Sequence, residues 1–297
     1  MISFRTNATH ARTTYVHKTE PRVHIMIYTF NKAAELRETL RSLQKTDYGN
    51  YKVFILNNGS SDGTERYIYS VKGTMFPELK IINLPVNVGA PAARNWLAHE
   101  PENRYADFVA YLDDDVLLPP NWLREMITTF KNYPDAGVVG AKILFPGEPK
   151  TIQHTGGIIT RKEDWAHNIQ GHSFEKDAGQ HDYIAPRHYV MGCAQLYRRE
   201  VFDVAGDYDL RFSPTQFDEV EQQIRMRLYG YQAIYNGFIE VVHLLKTGMQ
   251  QSEATQVSRE ANRLKMLPLF TPEEIAALVD ENLLSFEQPT TARCYNG

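Results

Sequence analysis

The sequence predicts an α/β fold in which a mostly parallel sheet carries helices on both faces. Apolar runs with the length and β-branched content of buried strands alternate with segments of helical periodicity, and the first four runs lie at 23–28, 52–56, 80–85 and 107–112. Polar clusters follow three of these runs, at 29–31, 57–62 and 113–115. Because ligands bind beyond the carboxyl ends of parallel strands, we expect a binding site along this edge.

The segments between and after these runs have the features of helices and further strands. Asn31 is a candidate N-cap for the first helix, in which Leu36, Leu40 and Leu43 recur at helical spacing. Thr271-Pro-Glu-Glu has the form of a capping box that opens a C-terminal helix. The remaining predicted elements are helices at 64–71 and around 92–97, then helix 119–130, strand 136–145, strand 188–197, helix 199–205, helix 218–230 and strand 238–245.

The composition and hydrophobic periodicity of the sequence divide the chain into four parts. These are a polar tail (1–21), a first α/β half (22–116), a second half (117–245), and a flexible segment with a helical extension (246–297). Segment 146–188 is long, polar and weakly periodic, so we expect it and the stretch after His243 to act as lids. Trp165 is a candidate stacking platform for the ring of a ligand, with a simple packing role as the alternative. The same segment carries five histidines, whose roles stay open: His154, His167, His172, His181 and His188.

The composition restricts the class of protein. The net charge of -4 gives no electrostatic case for a nucleic-acid partner. Cys193 and Cys294 have no metal-type spacing, which favours a reducing compartment. No apolar run reaches the length of a transmembrane helix, and the first 20 residues lack the apolar core of a signal peptide. We therefore expect a cytoplasmic protein, with peripheral membrane contact left open.

Three consecutive carboxylates, Asp113, Asp114 and Asp115, stand directly after an apolar strand. Their mutual repulsion must be offset, and a hard divalent cation such as Mg²⁺ or Mn²⁺ does so through oxygen ligands. A pyrophosphate would complete the coordination shell. The alternative is a solvated acidic turn without a metal.

Seven sequence pieces in order over residues 23–243 resemble the family-2 glycosyltransferases of GT-A fold. They are TFN (29–31), NNGSSDGT (57–64), NVGAPAARN (87–95), LDDDV (112–116), GCAQLYRREVFDVAGDYD (192–209), DEVEQQIR (218–225) and His243. The resemblance implies a Rossmann-like sheet with merged nucleotide-binding and acceptor-binding halves, which would be 22–116 and 117–245. It also implies an inverting, hexosyltransferase-type enzyme that moves a sugar from a nucleotide diphosphate sugar to an acceptor hydroxyl.

The resemblance also implies roles for individual residues. Glu219 would be the general base, with neighbouring Asp218 as the less favoured candidate, and Arg225 would pair with an acid or a phosphate. Asp113 and Asp115 would bind the metal, which His243 would complete. The residues expected to line the nucleotide sugar are Thr29, Asn31, Asn57, Asn58, Asp62, Arg94, Asp113 and Asp114. For Arg94 and His243, a surface salt bridge and a structural histidine are the respective alternatives.

Two positions depart from the family pattern. Asn57 stands where an aspartate usually accepts a hydrogen bond from uracil, so the pattern favours a UDP-sugar but leaves dTDP- and GDP-sugars open. Asp218-Glu219 inverts the usual order of the acidic pair. The acceptor, a glycan, a lipid-linked molecule or a small molecule, is not specified. A non-catalytic sugar-binding module and a nucleotidyltransferase are the rival functions.

Overall fold

The computed structural model describes residues 20–159, 170–172, 174–244 and 253–279, which form one mixed sheet flanked by helices. In chain order its strands are β1 (Val23–Thr29), β2 (Tyr51–Asn58), β3 (Leu79–Leu84), β4 (Phe108–Leu112), β5 (Val116–Leu117), β6 (Ala136–Leu144), β7 (Ile152–Ile158), β8 (Gln170–His172), β9 (Ile184–Arg187), β10 (Ala194–Arg198) and β11 (Gln232–His243). The helices are α1 (Ala33–Leu43), α2 (Thr64–Val71), α3 (Ala90–Ala98), α4 (Trp122–Asn132), α5 (Val201–Ala205), α6 (Asp218–Leu228), α7 (Glu253–Met266) and α8 (Pro272–Leu278).

The first half of the chain folds as predicted, with β3, β2, β1 and β4 side by side and parallel. Alternate side chains of β1 enter the two cores, because successive residues of a strand point to opposite faces. Ile25 and Ile27 pack with the apolar faces of α1, α2 and α4, whereas Met26 packs with α3 and α5. The sheet is therefore covered on both sides, and the carboxyl ends of β1, β2 and β4 lie at one edge.

The second half is mixed rather than parallel. Strand β10 lies antiparallel between β4 and β6, and β11 is parallel to β6 but antiparallel to β5 and β9. Strand β10 begins at Ala194, later than the predicted strand at 188–197, because Val190 instead bonds to the Gln223 side chain of α6 through its backbone N–H. Segment 146–188, predicted to have little regular structure, contains β7, β8 and β9.

The N-cap prediction for the first helix is wrong. Lys32 occupies the N-cap position of α1, and Asn31 adopts a left-handed backbone conformation with φ of 53°. The Asn31 side chain accepts a hydrogen bond from the backbone N–H of Ser61, while Asp62 accepts one from the N–H of Ala33 in the first turn of α1. The turn after β2 therefore supplies the helix terminus with its acceptor, and a local sequence pattern cannot show this.

The C-terminal helices pack against α6 through a third apolar cluster that includes Phe212, Ile224 and Phe270. The predicted capping box is confirmed, because the Thr271 side chain accepts from the N–H of Glu274 and the Glu274 carboxylate accepts from the N–H of Thr271. Within the described parts of the chain, no helix is long and apolar enough to cross a membrane.

Gly157 of β7 lies flat against the ring of Tyr189. A Cβ atom at this position would stand 1.6 Å from a ring carbon, so the glycine provides room for packing. The contact is part of the ladder in which Gly157 N–H donates to the Tyr189 carbonyl. Gly63, at the start of α2, has no neighbour within 4 Å of the same imagined atom, which makes it a matched control.

We therefore expect Gly157→Ala to lower the free energy of unfolding by about 1–3 kcal/mol, the usual cost of overpacking a core. Gly63→Ala should cost less than about 1 kcal/mol, since its Cβ meets open space and only the preference for glycine at the N-cap of α2 is lost. Urea unfolding of both variants beside the parent protein measures the difference. Equal stability of Gly157→Ala and Gly63→Ala would contradict the packing role.

Candidate active site

The acidic triplet lies where β4 ends, and its backbone is held from several sides. The N–H of Asp113 donates to the carbonyl of Cys193, and the carbonyl of Asp115 accepts from the N–H of Leu244, just beyond β11. The next residue, Val116, donates its N–H to the hydroxyl of Thr39 in α1. These contacts hold the backbone that carries the three carboxylates.

Asp113, Asp115 and His243 converge on one point. Their ligand atoms all lie within 4.8 Å of one another. His243 Nε2 is 3.2 Å from Asp115 Oδ1 and 4.0 Å from Asp113 Oδ2. Strand β11 brings the histidine there, because its antiparallel pairing with β5 sets His243 opposite Val116. Residues far apart in sequence are thus assembled as the resemblance implies.

The donor set fits a divalent cation. Across the described residues, no group makes a hydrogen bond of good geometry to Asp115 Oδ1 or Asp113 Oδ1, although both oxygens are buried. Buried oxygens of this kind normally have hydrogen-bond partners, so a cation bound at the cluster would satisfy both. Two carboxylates with one imidazole suit Mn²⁺, and the carboxylates alone also suit Mg²⁺.

Lys32 is a residue of the site that the sequence analysis missed. Its ammonium group lies 3.1 Å from Asp114 Oδ1 and 2.9 Å from Asp115 Oδ2. Burial raises the pKa of Asp114 to about 6 against the opposing effect of Lys32. Burial would also raise the pKa of Asp115, but His243 and Lys32 hold it below its usual range. The sequence offers one signal for Lys32: it directly follows the polar cluster 29–31 at the end of the first strand.

Arg94 connects the acidic triplet to the start of α6. Its guanidinium forms an ion pair with Asp218 and lies 3.7 Å from Asp113 Oδ1. The rings of Tyr28 and Tyr208 flank it, with centroids 5.4 and 5.3 Å from the Arg94 Cζ atom. Arg94 is only 4% exposed, so the alternative of a surface salt bridge is wrong.

The two carboxylates of the acidic pair differ in their surroundings. Asp218 is fully buried and tied to Arg94, whereas Glu219 is partly exposed. Burial, and then the charge of Asp218, raise the pKa of Glu219 well above that of an ordinary glutamate. Gly192 makes room beside them, since a Cβ there would stand 3.0 Å from the guanidinium of Arg94 and 3.4 Å from the Glu219 carboxyl carbon.

The loop before α6 is fastened by the C-terminal helices. Gln216 and Phe217 both have positive φ angles, 79° and 70°, which non-glycine residues rarely adopt. The buried amide of Asn262 in α7 donates to the carbonyls of Phe212, Thr215 and Gln216. Further along α6, Arg225 pairs with an acid, as the resemblance implies: that acid is Glu221, at 2.7 Å.

Four of the predicted nucleotide-binding residues build the loops at this edge. Asn31 and Asp62 join the turn after β2 to α1, as described above. Asn57 accepts from the N–H of Ser60 and donates to Asn83, while Asn58 accepts from the N–H of Val88. Thr29, another of the predicted residues, is fully buried beside Asp114. The side chains of Asn31, Asn57, Asn58 and Asp62 thus hold the loops at this edge of the sheet together.

The histidines of segment 146–188 that can be described make protein contacts. His154 lies 3.2 Å from the Tyr189 hydroxyl, His181 lies 2.6 Å from Glu175, and His188 lies 3.1 Å from the Leu278 carbonyl. Trp165 and His167 lie outside the described residues, as does the side chain of His172. Residues 245–252, which include most of the expected second lid, are outside them as well.

Several proteins of known sequence resemble half of this chain or more. The chain is 24% identical over 242 residues to the O-antigen biosynthesis protein RfbC of Myxococcus xanthus, covering 78% of this chain and 18% of that protein. It is 27% identical over 158 residues to the poly-beta-1,6-N-acetyl-D-glucosamine synthase of Staphylococcus epidermidis, covering 50% of this chain and 37% of the other. An uncharacterized Sinorhizobium fredii protein, y4gI, is 27% identical over 237 residues, 75% of this chain and 24% of its own length. The chain thus spans well under half of each.

Solved structures share the fold. A structure of GalNAc-T7 with UDP, GalNAc and Mn²⁺ superimposes with a TM-score of 0.69 at 13% identity, over 87% of this chain and 50% of that one. The mannosyltransferase PcManGT from Pyrobaculum calidifontis, with GDP-Man and Mn²⁺, gives 0.60 at 17% identity, over 88% and 70%. The predicted GT-A fold is therefore confirmed.

The family match covers the described strands of the sheet other than β11, together with the acidic triplet. The family profile described as Glycosyl transferase family 2 matches residues 24–206, well over half of the 297 residues. The match runs from β1 through α5 and ends before Glu219 and His243, which the fold brings to the same edge. The chain belongs to glycosyl transferase family 2.

Proposed function

We propose that this chain transfers a sugar from a nucleotide diphosphate sugar to an acceptor hydroxyl, with inversion at the anomeric carbon. One observation carries the proposal: the cluster of Asp113, Asp115 and His243 lies next to the pair Asp218–Glu219, and Arg94 contacts both. A site for a diphosphate-bound cation and a candidate base thus share one edge of the sheet.

The proposed donor site is the first half of the chain, 22–116, and the acceptor and catalytic site is 117–245. Thr29, Asn57 and their neighbours would hold the nucleotide, with Asp113 and Asp114 beside the ribose and diphosphate. Asn57 Oδ1 accepts only from Ser60 N–H among its described contacts, and a carbonyl oxygen has a second lone pair for a base. A UDP-sugar is our first choice, with dTDP- and GDP-sugars as alternatives.

Asp113, Asp115 and His243 would hold the cation, for which we propose Mn²⁺ before Mg²⁺. A bound cation of this type neutralises charge that develops on a departing diphosphate. Lys32 then has a supporting role, since it stabilises the outer oxygens of Asp114 and Asp115 and leaves Asp115 Oδ1 for coordination. Arg94 adds positive charge on the other side of Asp113.

Glu219 is the proposed general base. Asp218 is engaged by Arg94 and fully buried, so it is poorly placed to reach an acceptor. Glu219 is partly exposed, and its raised pKa makes it a better proton acceptor from a hydroxyl than an ordinary glutamate. Attack by the acceptor from the side opposite the diphosphate gives inversion in one displacement. The names of the relatives support a glycan acceptor, and a lipid-linked or small-molecule acceptor stays open.

The metal assignment predicts different outcomes for adjacent, isosteric substitutions. Asp115→Asn should abolish the gain in nucleotide affinity that Mn²⁺ provides, because Asp115 Oδ1 faces His243. Asp114→Asn should retain this gain within a few-fold, because Asp114 Oδ1 instead faces Lys32. Thermal shifts with UDP-, GDP- and dTDP-sugars, with and without Mn²⁺, measure this gain in affinity. A ligand at 100 times its Kd adds about 2.7 kcal/mol to the free energy of unfolding. Equal Mn²⁺ dependence in both variants would exclude the assignment.

The base assignment predicts that Glu219→Gln keeps the binding of donor and Mn²⁺ but slows release of the nucleoside diphosphate about 100-fold or more. The reason is that the amide cannot accept the proton of the attacking hydroxyl. Asp218→Asn should weaken the ion pair with Arg94 and lower thermal stability, with a smaller loss of turnover. Steady-state kinetics and calorimetry on both variants separate these effects.

The pH dependence is a second readout of the same assignment. The base works only when deprotonated, and its pKa is raised, so kcat/KM at saturating Mn²⁺ should rise with pH close to neutrality. Glu219→Gln should lack this rise. If Glu219→Gln turns over nearly normally while Asp218→Asn is inactive with unchanged stability, Asp218 is the base instead.

A further inference from the structure

His243 has a second polar neighbour besides the acidic triplet. Its Nδ1 atom lies 3.2 Å from the side-chain oxygen Oε1 of Gln153 in β7. Both residues are buried, with 8% of His243 and 1% of Gln153 exposed. Gln153 lies outside every motif of the sequence analysis, and the resemblance assigns it no role.

The backbone aims Gln153 at this histidine. Strand β7 pairs with β6 through Ile143–His154 and Leu144–Ile152, so the register shifts at Gln153 and the strand bulges there. Such a β-bulge redirects a side chain, and bulges are frequent beside active sites. The residues on either side are held: Ile152 accepts from the N–H of Phe174, and the ring of His154 packs against Tyr189.

The contact favours one tautomer of the neutral imidazole. With its side-chain oxygen facing the ring, Gln153 accepts a hydrogen bond, which favours the neutral tautomer that carries its proton on Nδ1. Nε2 then presents its lone pair toward Asp115 Oδ1, 3.2 Å away. A lone pair and a carboxylate oxygen at that distance need a cation or a proton between them. Gln153 thus prepares His243 to bind a metal through Nε2.

We propose that Gln153 is a positioning residue that holds His243 in the Nδ1-protonated tautomer, oriented for a divalent cation at the cluster with Asp113 and Asp115. The inference rests on the proposed metal site. Outer partners of a metal-binding histidine fix its ring orientation and tautomer, and their removal typically weakens metal affinity about 10- to 100-fold.

The test uses the full chain and Mn²⁺ alone, with free Mn²⁺ measured by electron paramagnetic resonance. Gln153→Leu, which removes the acceptor at similar size, should weaken Mn²⁺ binding by about 10-fold or more. Gln153→Glu retains an acceptor oxygen and should bind Mn²⁺ as tightly as the parent protein or more tightly. In a His243→Ala background, Gln153→Leu should cause no further loss, because its effect passes through the histidine.

Three results would overturn the inference: normal Mn²⁺ affinity of Gln153→Leu, equal weakening by Gln153→Glu, or an undiminished effect in the His243→Ala background. His243→Ala alone separates the two claims, since its normal Mn²⁺ affinity would remove the proposed metal site itself. A measurement without substitution is ¹⁵N nuclear magnetic resonance of the imidazole. The metal-free parent protein should show His243 protonated at Nδ1, and protonation at Nε2 alone would exclude the proposed role.

Discussion

The repulsion among three adjacent carboxylates at the end of β4 is the constraint on which the site depends. Asp114 and Asp115 are almost fully buried, and a buried charge is costly unless it is paired. The fold places positive groups from two elements beside them, Lys32 from the start of α1 and Arg94 from α3, and the proposed cation site lies between these carboxylates and His243 of β11. Each element is held at this edge by its place in the sheet or by a loop contact.

Arg94 sets the second feature of the site, the difference between Asp218 and Glu219. Two carboxylates in sequence at a buried helix start would repel each other, and the ion pair with Arg94 stabilises the charge of Asp218. Burial and then the charge of Asp218 raise the pKa of Glu219, against the lowering effect of Arg94. Arg94 therefore acts on both parts of the site: it contacts Asp113 of the proposed metal cluster, and it affects the pKa of the proposed base, Glu219. Asn262 and α7 hold the loop that brings both carboxylates there.

Much of this arrangement could be predicted, and the physical reasons are local. The parallel first half follows from strand–helix alternation, and strand ends then place Asp113 and Asp115 at the binding edge. The place of His243 beside the triplet is implied by the family resemblance alone, and the antiparallel pairing of β11 with β5 brings it there. Asn31 illustrates the limit, because a turn 30 residues away satisfies the start of α1.

The remaining contacts depend on distances that a sequence pattern does not contain. Arg94 reaches Asp218 across 124 positions, and Gln153 reaches His243 across 90. Gln153 does so only because a bulge breaks the alternation of β7. The antiparallel insertion of β10 is similar, since its apolar residues would suit a parallel strand equally well.

The central claim is that Asp113, Asp115 and His243 hold a cation. Diffraction from crystals soaked in Mn²⁺ and UDP, recorded at the manganese edge, tests it most directly. We predict one strong anomalous peak bonded to Asp115 Oδ1 and His243 Nε2, with Asp113 and the diphosphate next to it. A nucleotide bound at this edge with no manganese peak between these residues would contradict the account.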